Sequence, residues 1–130
     1  MRLATLPASE QVAQHIQLGR DFLAQGLLPE AEQEFQTALG VDPNSGAAHA
    51  ALAQVREQSG ATSAAREEAQ ISNRLSPNAV AFLVLARLDL QASNLAASAD
   101  SVSKALNLDP RNTAAQALRT TLQTRGQSLP

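Results

Sequence analysis

The amino-acid sequence predicts an all-α fold built from consecutive helix-turn-helix repeats. Alanine occupies 26 of the 130 positions, and leucine, glutamine, glutamate and arginine fill much of the remainder. These residues lose little side-chain entropy in a helix. Pro43, Pro77 and Pro110 lie 34 and 33 residues apart, and a repeat period of about 20 to 50 residues is typical of helical-repeat proteins. A chain of this length fits one domain, residues 1–130.

Each of the three prolines is expected to end a pair of helices. Similar residues surround them: Val41-Asp42-Pro43-Asn44, Leu75-Ser76-Pro77-Asn78 and Leu108-Asp109-Pro110-Arg111-Asn112. Proline stops the preceding helix because it restricts the residue before it and has no N–H to donate. The Asn or Ser that follows can cap the next helix. Within the pairs, Gly26, Gly60 and Asn94 tolerate the backbone reversal that a tight turn requires.

These helix-ending and turn-forming residues predict seven helices. They are expected near residues 9–25, 29–40, 45–58, 63–75, 78–92, 95–107 and 112–125. In the last of them, Leu118 and Leu122 lie four residues apart among Gln, Thr and Arg. That pattern fits a terminal helix that covers the last open face of a repeat stack and turns its polar side to solvent.

The first helix pair has a specific residue signature. It is His15-x2-Leu18-Gly19-x2-Phe22, then Gly26, then Ala31-x3-Phe35-x2-Ala38 and Pro43. This signature resembles that of the tetratricopeptide repeat (TPR) family, with His15 in the usual place of Trp and Phe22 in that of Tyr. The resemblance implies a right-handed superhelical α-solenoid of three repeats, about 12–45, 46–79 and 80–112, with a capping helix at about 112–125.

The second and third repeats follow the signature more loosely. The second keeps the spacing at these positions: His49, Leu52, Ala53, Gly60, Ala65, Ala69 and Pro77. The third continues with Leu83, Ala86, Leu90, Ser98, Val102, Ala105 and Pro110. The third repeat is one residue shorter, and we expect the missing residue at the turn between its two helices.

Composition argues against several classes of function. Aromatic residues are 2% of the chain, with no Trp or Tyr, so platforms for stacking bases or sugars are absent. The net charge of −2 provides no basic field for nucleic acid. No apolar run approaches the roughly 18 residues that span a bilayer, so a soluble chain is expected. Because the chain has no Cys, the sequence does not distinguish a protein of the cytoplasm from one of the periplasm.

No constellation of side chains points to catalysis, a cofactor or a metal. His15 and His49 lack carboxylates or thiolates at ligand spacing, so we expect both to fill the space between the two helices of their repeats. The adjacent Glu67 and Glu68 point about 100° apart on a helix and cannot form a facing acid-base pair. The sequence therefore predicts a protein that is not an enzyme. A further acidic cluster, Glu30, Glu32 and Glu34, is expected to be solvated, with a docking patch as the alternative.

In the TPR family, places 2, 5, 9 and 12 of each repeat face a bound peptide in a concave groove. The resemblance assigns these places to Ala13, Ile16, Arg20 and Leu23, then Ala47, Ala50, Gln54 and Glu57, then Ala81, Val84, Leu88 and Gln91. We expect Ile16, Leu23, Val84 and Leu88 to form an exposed apolar strip, which usually marks an interface. The residues with which some TPR domains clamp a chaperone's C-terminal carboxylate are missing, since the equivalent places hold Ile16, Arg20, Ala51, Ala81 and Leu85.

The predicted function is an interaction module that binds a peptide or helix of a partner protein in this groove, as a scaffold or adaptor. On that basis Leu88→Glu should weaken partner binding and affect folding little. Two alternatives remain open. The acidic first repeat and the basic final helix, with Arg119 and Arg125, would allow head-to-tail self-association. The chain could also be a regulatory or assembly domain of a larger protein.

Overall fold

The structure, a computed structural model, describes residues 6–130. Seven α-helices and no β-strand occur in this range: α1 (Ala8–Ala24), α2 (Leu28–Val41), α3 (Gly46–Gln58), α4 (Thr62–Leu75), α5 (Ala79–Gln91), α6 (Leu95–Leu108) and α7 (Thr113–Thr124). Each helix begins and ends within one residue of its predicted position, which confirms the all-α helical-repeat fold. Among residues 6–130, no helix has both the length and the apolar character needed to cross a membrane.

Side-chain caps begin the helices that follow the three prolines. Ser45, Asn78 and Asn112 each accept a hydrogen bond from the backbone N–H three residues later, at 3.2, 2.9 and 2.9 Å. These bonds satisfy backbone donors that have no partner within the helix, and each cap contributes about 1 kcal/mol. The predicted role of the residues after each proline is confirmed.

The helices form two compact units, a first that ends at Ser76 and a second that begins at Pro77. In the first unit α1 packs on α2, α3 packs on α4, and both α1 and α2 contact α3. The core of these helices contains one large aromatic side chain, Phe35, which is fully buried. Around it lie Val12, Ile16, Ala31, Ala38, Ala48, Ala51, Leu52 and Val55.

In the second unit α5 packs on α6, and α7 contacts both of them. Its core consists of Leu83, Ala86, Ala99, Val102, Ala105, Ala115 and Leu122. Helix α7 contributes Ala115 and Leu122 to this core and packs Leu118 against it, whereas its other faces are polar and exposed at Gln116, Arg119, Thr120 and Gln123. A helix with one apolar face and polar remaining faces fits the predicted capping role.

Small residues at equivalent places of the three repeats allow the two helices of each pair to approach closely. A Cβ atom added to Gly19 would lie 2.4 Å from the Cε1 atom of the Phe35 ring. The equivalent places are buried and hold only small residues, twelve positions apart in each repeat: Gly19 and Ala31, Ala53 and Ala65, Ala86 and Ser98. In the third pair the Ser98 hydroxyl donates a hydrogen bond to the Ala86 carbonyl oxygen at 2.8 Å, which satisfies a buried polar group.

The third repeat is one residue shorter than the second, and the structure places the missing residue ahead of α5. Helix α3 begins at Gly46, three residues after Pro43, whereas α5 begins at Ala79, two residues after Pro77. From these starting points α5 and α6 reproduce the lengths and the separation of α3 and α4 residue for residue. The prediction of a shorter turn between the helices of the third repeat was therefore wrong.

The same shift changes which residue makes the turn within the third repeat. Gly26 and Gly60 have φ values of 75° and 80°, in the left-handed region, as the sequence predicted. In the third repeat this conformation belongs to Ser93, with a φ of 59°, and not to Asn94. Asn94 instead begins α6, and its backbone N–H donates to the Asp89 carbonyl oxygen at 2.8 Å.

We expect Gly19→Ala to destabilise the protein by on the order of 1 to 2 kcal/mol. The added methyl group overlaps the Phe35 ring, which is fully buried. Overpacking of about 1 to 3 kcal/mol exceeds the helix-propensity gain of up to about 1 kcal/mol. Gly40→Ala in α2 is the matched control, because an added Cβ there meets nothing within 4 Å and only the propensity gain remains. Urea unfolding measures both; equal changes in stability would contradict the close approach of α1 and α2.

Candidate partner-binding face

The predicted partner-binding places of the first two repeats lie on α1 and α3, which contact each other within the first unit. We call these eight residues the α1–α3 face: Ala13, Ile16, Arg20, Leu23, Ala47, Ala50, Gln54 and Glu57. Ala13, Arg20 and Ala47 are exposed; Leu23, Gln54 and Glu57 are half-buried; Ile16 and Ala50 are buried. The face is therefore mixed in character rather than predominantly apolar.

Arg20 is the prominent charged group of the α1–α3 face. It is exposed and makes no ion pair with any residue in the range 6–130. Gln54 occupies the same place one repeat later and adds an amide that can both donate and accept hydrogen bonds. The exposed alanines Ala13 and Ala47 have short side chains, so a peptide backbone can approach the helices closely.

The expected exposed apolar strip is not present. Ile16, Val84 and Leu88 are 7%, 0% and 3% exposed, and Leu23 is half-buried. Ile16 belongs to the core of the first unit. Val84 and Leu88 lie on α5, which is apolar around most of its circumference, and a helix of that kind is buried on more than one face. The expectation that Leu88→Glu would affect folding little was therefore wrong, since the change would bury an unpaired charge.

The shorter loop before α5 also shifts the predicted partner-binding places of the third repeat by one residue. Ala81, Val84, Leu88 and Gln91 are the counterparts in α5 of Ala48, Ala51, Val55 and Gln58 in α3, and the first three members of each set are buried. In α3 those three are core residues, so Ala81, Val84 and Leu88 of α5 occupy packing places, whereas Gln91 is exposed. In the corrected register, places 2, 5, 9 and 12 fall on Val80, Leu83, Arg87 and Leu90.

The two histidines fill the space between the paired helices of the first two repeats, as predicted, but each also has a carboxylate partner. Nδ1 of His15 lies 2.7 Å from Oε2 of Glu34, and Nδ1 of His49 lies 2.6 Å from Oε2 of Glu68. The side chains of each pair are between 14% and 24% exposed. Each bond joins the two helices of one repeat and is largely shielded from water.

His49 makes a second contact that bears on metal binding. Its Nε2 lies 2.9 Å from the Pro43 carbonyl oxygen, so both ring nitrogens face oxygen acceptors. A neutral imidazole has one N–H, and the nitrogen that carries it has no lone pair available for a metal ion. Within residues 6–130, no three His, Cys, Asp or Glu side chains are grouped as metal ligands would be.

The acidic cluster of α2 is largely paired rather than solvated. Glu34 holds His15, and the Glu32 carboxylate forms a salt bridge with the Arg56 guanidinium of α3. The side chains of Glu34 and Glu32 are 24% and 32% exposed, whereas Glu30 belongs to the exposed surface. The expectation of a solvated acidic face is therefore correct for Glu30 alone.

The pairing of each histidine with a glutamate was missed at the level of sequence, although a signal existed. His15 and Glu34 are 19 residues apart, and so are His49 and Glu68. One repeat period therefore separates the two histidines, and the same period separates the two glutamates. Comparison of the charged places of the two repeats would have indicated the pairs.

Of the comparisons with known proteins, the one with solved structures found matches, and these show the fold alone. No family model and no curated protein matches the sequence. Among solved structures, the TPR domain of OM64 from Arabidopsis superimposes with a TM-score of 0.80 at 14% identity, covering 92% of this chain and 99% of that one. The chain has a TPR-like fold. At this low identity the similarity to a TPR domain extends to backbone architecture and not to function.

We expect a double-mutant cycle of His49→Ala and Glu68→Ala to give a coupling free energy on the order of 1 to 2 kcal/mol. The hydrogen bond is charge-assisted and mostly buried. The control cycle uses Lys104 and Asp100, a 3.0 Å ion pair whose side chains are 53% and 55% exposed, where coupling should be at most about 0.5 kcal/mol. Chemical denaturation at neutral pH measures both; equal coupling energies would show that the imidazole contributes by packing alone.

Proposed function

We propose that this protein is a non-catalytic interaction module that holds a segment of a partner polypeptide against the α1–α3 face. The observation that supports it most directly is that exposed Arg20 shares this face with two exposed residues that have short side chains, Ala13 and Ala47. Such a surface presents one strong polar anchor on a face that a peptide backbone can approach.

The packing of the first unit supports the same assignment. Helices α1 and α3 contact each other, and their equivalent places hold Arg20 and Gln54. Both helices pack on the core around Phe35, and each is joined to the second helix of its repeat by a His–Glu hydrogen bond. Binding groups on such a framework lose little conformational freedom when a partner is bound, which favours affinity.

The chemistry of the face indicates how a peptide would be held. The Arg20 guanidinium suits a carboxylate or a backbone carbonyl, and the Gln54 amide can both donate to and accept from a peptide group. Half-buried Leu23 adds apolar contact beside Arg20. In the second unit, the corrected register assigns the partner-facing places to Val80, Leu83, Arg87 and Leu90. Of these, Leu83 is buried in the core, and the other three are half-buried.

Head-to-tail self-association remains the alternative, but the charges that suggested it are partly used within the chain. Two of the three glutamates of the acidic cluster on α2 are paired with His15 and Arg56. The outer residues of α1 are polar, and the Gln17 amide donates to the Asp21 carboxylate at 2.9 Å. A regulatory or assembly role within a larger protein is compatible with the same binding face.

We expect Arg20→Glu to reduce capture of the partner from the source cells at least tenfold, which corresponds to about 1.4 kcal/mol of binding free energy. Removing a charged anchor and adding the opposite charge weakens a complementary contact. The measurement is quantitative mass spectrometry of proteins recovered on wild-type and variant baits. Arg20 is exposed, so circular dichroism and the thermal midpoint should be unchanged.

Arg74→Glu is the matched control, because Arg74 is an exposed arginine of the same unit on α4, outside the α1–α3 face. It should recover the same partners as wild type. Equal recovery on all three baits would rule out the α1–α3 face as the binding site. Light scattering at two salt concentrations tests self-association separately, and a mass above that of the monomer that falls with salt would favour the alternative.

A further inference from the structure

A small apolar pocket lies in the second unit, where α5 begins and α6 ends. We call it the α5–α6 pocket; it has a volume of about 240 Å³ and is lined by Pro77, Phe82, Lys104, Asn107 and Leu108. Phe82 is half-buried, and part of its ring packs against the core of the second unit. Leu108 is 50% exposed, more than any other large apolar side chain of residues 6–130.

At the α5–α6 pocket the third repeat differs in sequence from the other two. Phe82 is the fourth residue of α5, as His49 is the fourth residue of α3. The seventh residue of α4 is Glu68, whereas the seventh residue of α6 is Ser101, which is buried. The first two repeats place a hydrogen-bonded imidazole and carboxylate in this space, whereas the third places a half-buried aromatic ring and a buried serine there.

A cation marks the rim of the pocket. Lys104 is the only lysine of the chain, and its Nζ lies 5.8 Å from the centre of the Phe82 ring, within the range of a cation–π contact. Nζ also lies 3.0 Å from Oδ2 of Asp100, but both side chains are more than half exposed and such a pair contributes little. A second carboxylate can therefore join or replace Asp100 at Nζ, and the exposed Asn107 amide can donate to the same group.

The dimensions of the pocket limit what it can hold. Pockets that enclose a drug-sized ligand or cofactor have volumes of about 300 to 1,000 Å³. A volume of 240 Å³ open to solvent suits a single side chain presented by another surface. Apolar walls with one polar rim resemble the recesses that receive anchor residues at protein interfaces.

We propose that the α5–α6 pocket is a second docking site, independent of the α1–α3 face, for an aliphatic or aromatic side chain of a partner polypeptide that has a carboxylate side chain next to it. The apolar side chain packs on Phe82 and Leu108, and the carboxylate binds Lys104. Charge complementarity at Lys104 distinguishes this occupant from a purely apolar one.

The test uses the intact protein and three blocked pentapeptides as probes: Gly-Glu-Leu-Glu-Gly, Gly-Gln-Leu-Gln-Gly and Gly-Glu-Ala-Glu-Gly. Reductive methylation with ¹³C-formaldehyde keeps the charge of Lys104 and labels only its Nζ and the N-terminal amine, because the chain has no other lysine. We expect the Lys104 signal to shift saturably with the first peptide. Binding should be at least fivefold weaker with each of the other two, and the N-terminal signal should not move.

Matched variants locate the contact. Leu108→Ser should weaken binding of the Glu-Leu-Glu peptide at least fivefold, whereas Leu75→Ser should change it less than twofold. Leu75 is the appropriate control because it ends α4 as Leu108 ends α6 and is 41% exposed. Lys104→Gln, followed through the backbone amide of Phe82, should remove the preference for Glu-Leu-Glu over Gln-Leu-Gln. All three positions are exposed, and circular dichroism confirms that each variant is folded.

Three results would each overturn the proposal. One is a Lys104 signal that does not move with the Glu-Leu-Glu peptide at millimolar concentration. Another is an equal effect of Leu108→Ser and Leu75→Ser. The third is a shift of the Lys104 signal with protein concentration alone, which would show that a second copy of the chain occupies the pocket. None of these measurements involves Arg20, so their failure leaves the proposed function of the α1–α3 face standing.

Discussion

The structure depends on how closely the two helices of each repeat approach each other. At Gly19 the approach leaves no room for even one methyl group beside Phe35, and the equivalent places of the other repeats hold Ala53 and Ala86. This contact fixes the separation of the paired helices, and with it the space available one turn earlier. His15, His49 and Phe82 occupy that space. The two imidazoles bridge to carboxylates on the facing helix, so the same spacing that requires small residues also sets the geometry of the buried polar bonds.

Much of the fold could be predicted because proline, glycine and alanine have strong and local effects. A helix ends two residues before each of Pro43, Pro77 and Pro110. The capping side chains that follow bond to a backbone N–H only three residues later. To locate the missing residue in the third repeat, the sequence must show which residues of α5 face the core. That can be read only when the apolar and polar faces of the helix differ clearly. Helix α5 has little contrast, since its first eight residues are all apolar. A shift of one residue leaves such a sequence pattern nearly unchanged, so only the observed start of α5 at Ala79 reveals the correct register.

The candidate sites show the same division between local and non-local information. The places of Arg20 and Gln54 follow from the repeat signature, and both are accessible. The burial of Ile16 was not predictable from its place, because it depends on Phe35 and Val55 arriving from other helices. Partners 19 residues apart in sequence, such as His49 and Glu68, meet only after the helix pair has closed. Phe82 and Lys104 are likewise distant in sequence and adjacent in space.

In a repeat protein, the residues that depart from the repeat without serving its packing are those most informative about function. The small residues at the helix contacts and the caps recur because every repeat needs them to fold. Arg20 and Lys104 answer no such need: each is exposed, and neither neutralises a buried charge. Phe82 goes further, because it replaces a satisfied imidazole–carboxylate pair with an aromatic ring that stays partly accessible to water. Partial exposure of such a ring loses part of the free energy that complete burial would provide. A partner side chain that covers Phe82 would recover that free energy, which gives the third repeat a thermodynamic reason to bind a partner at this place.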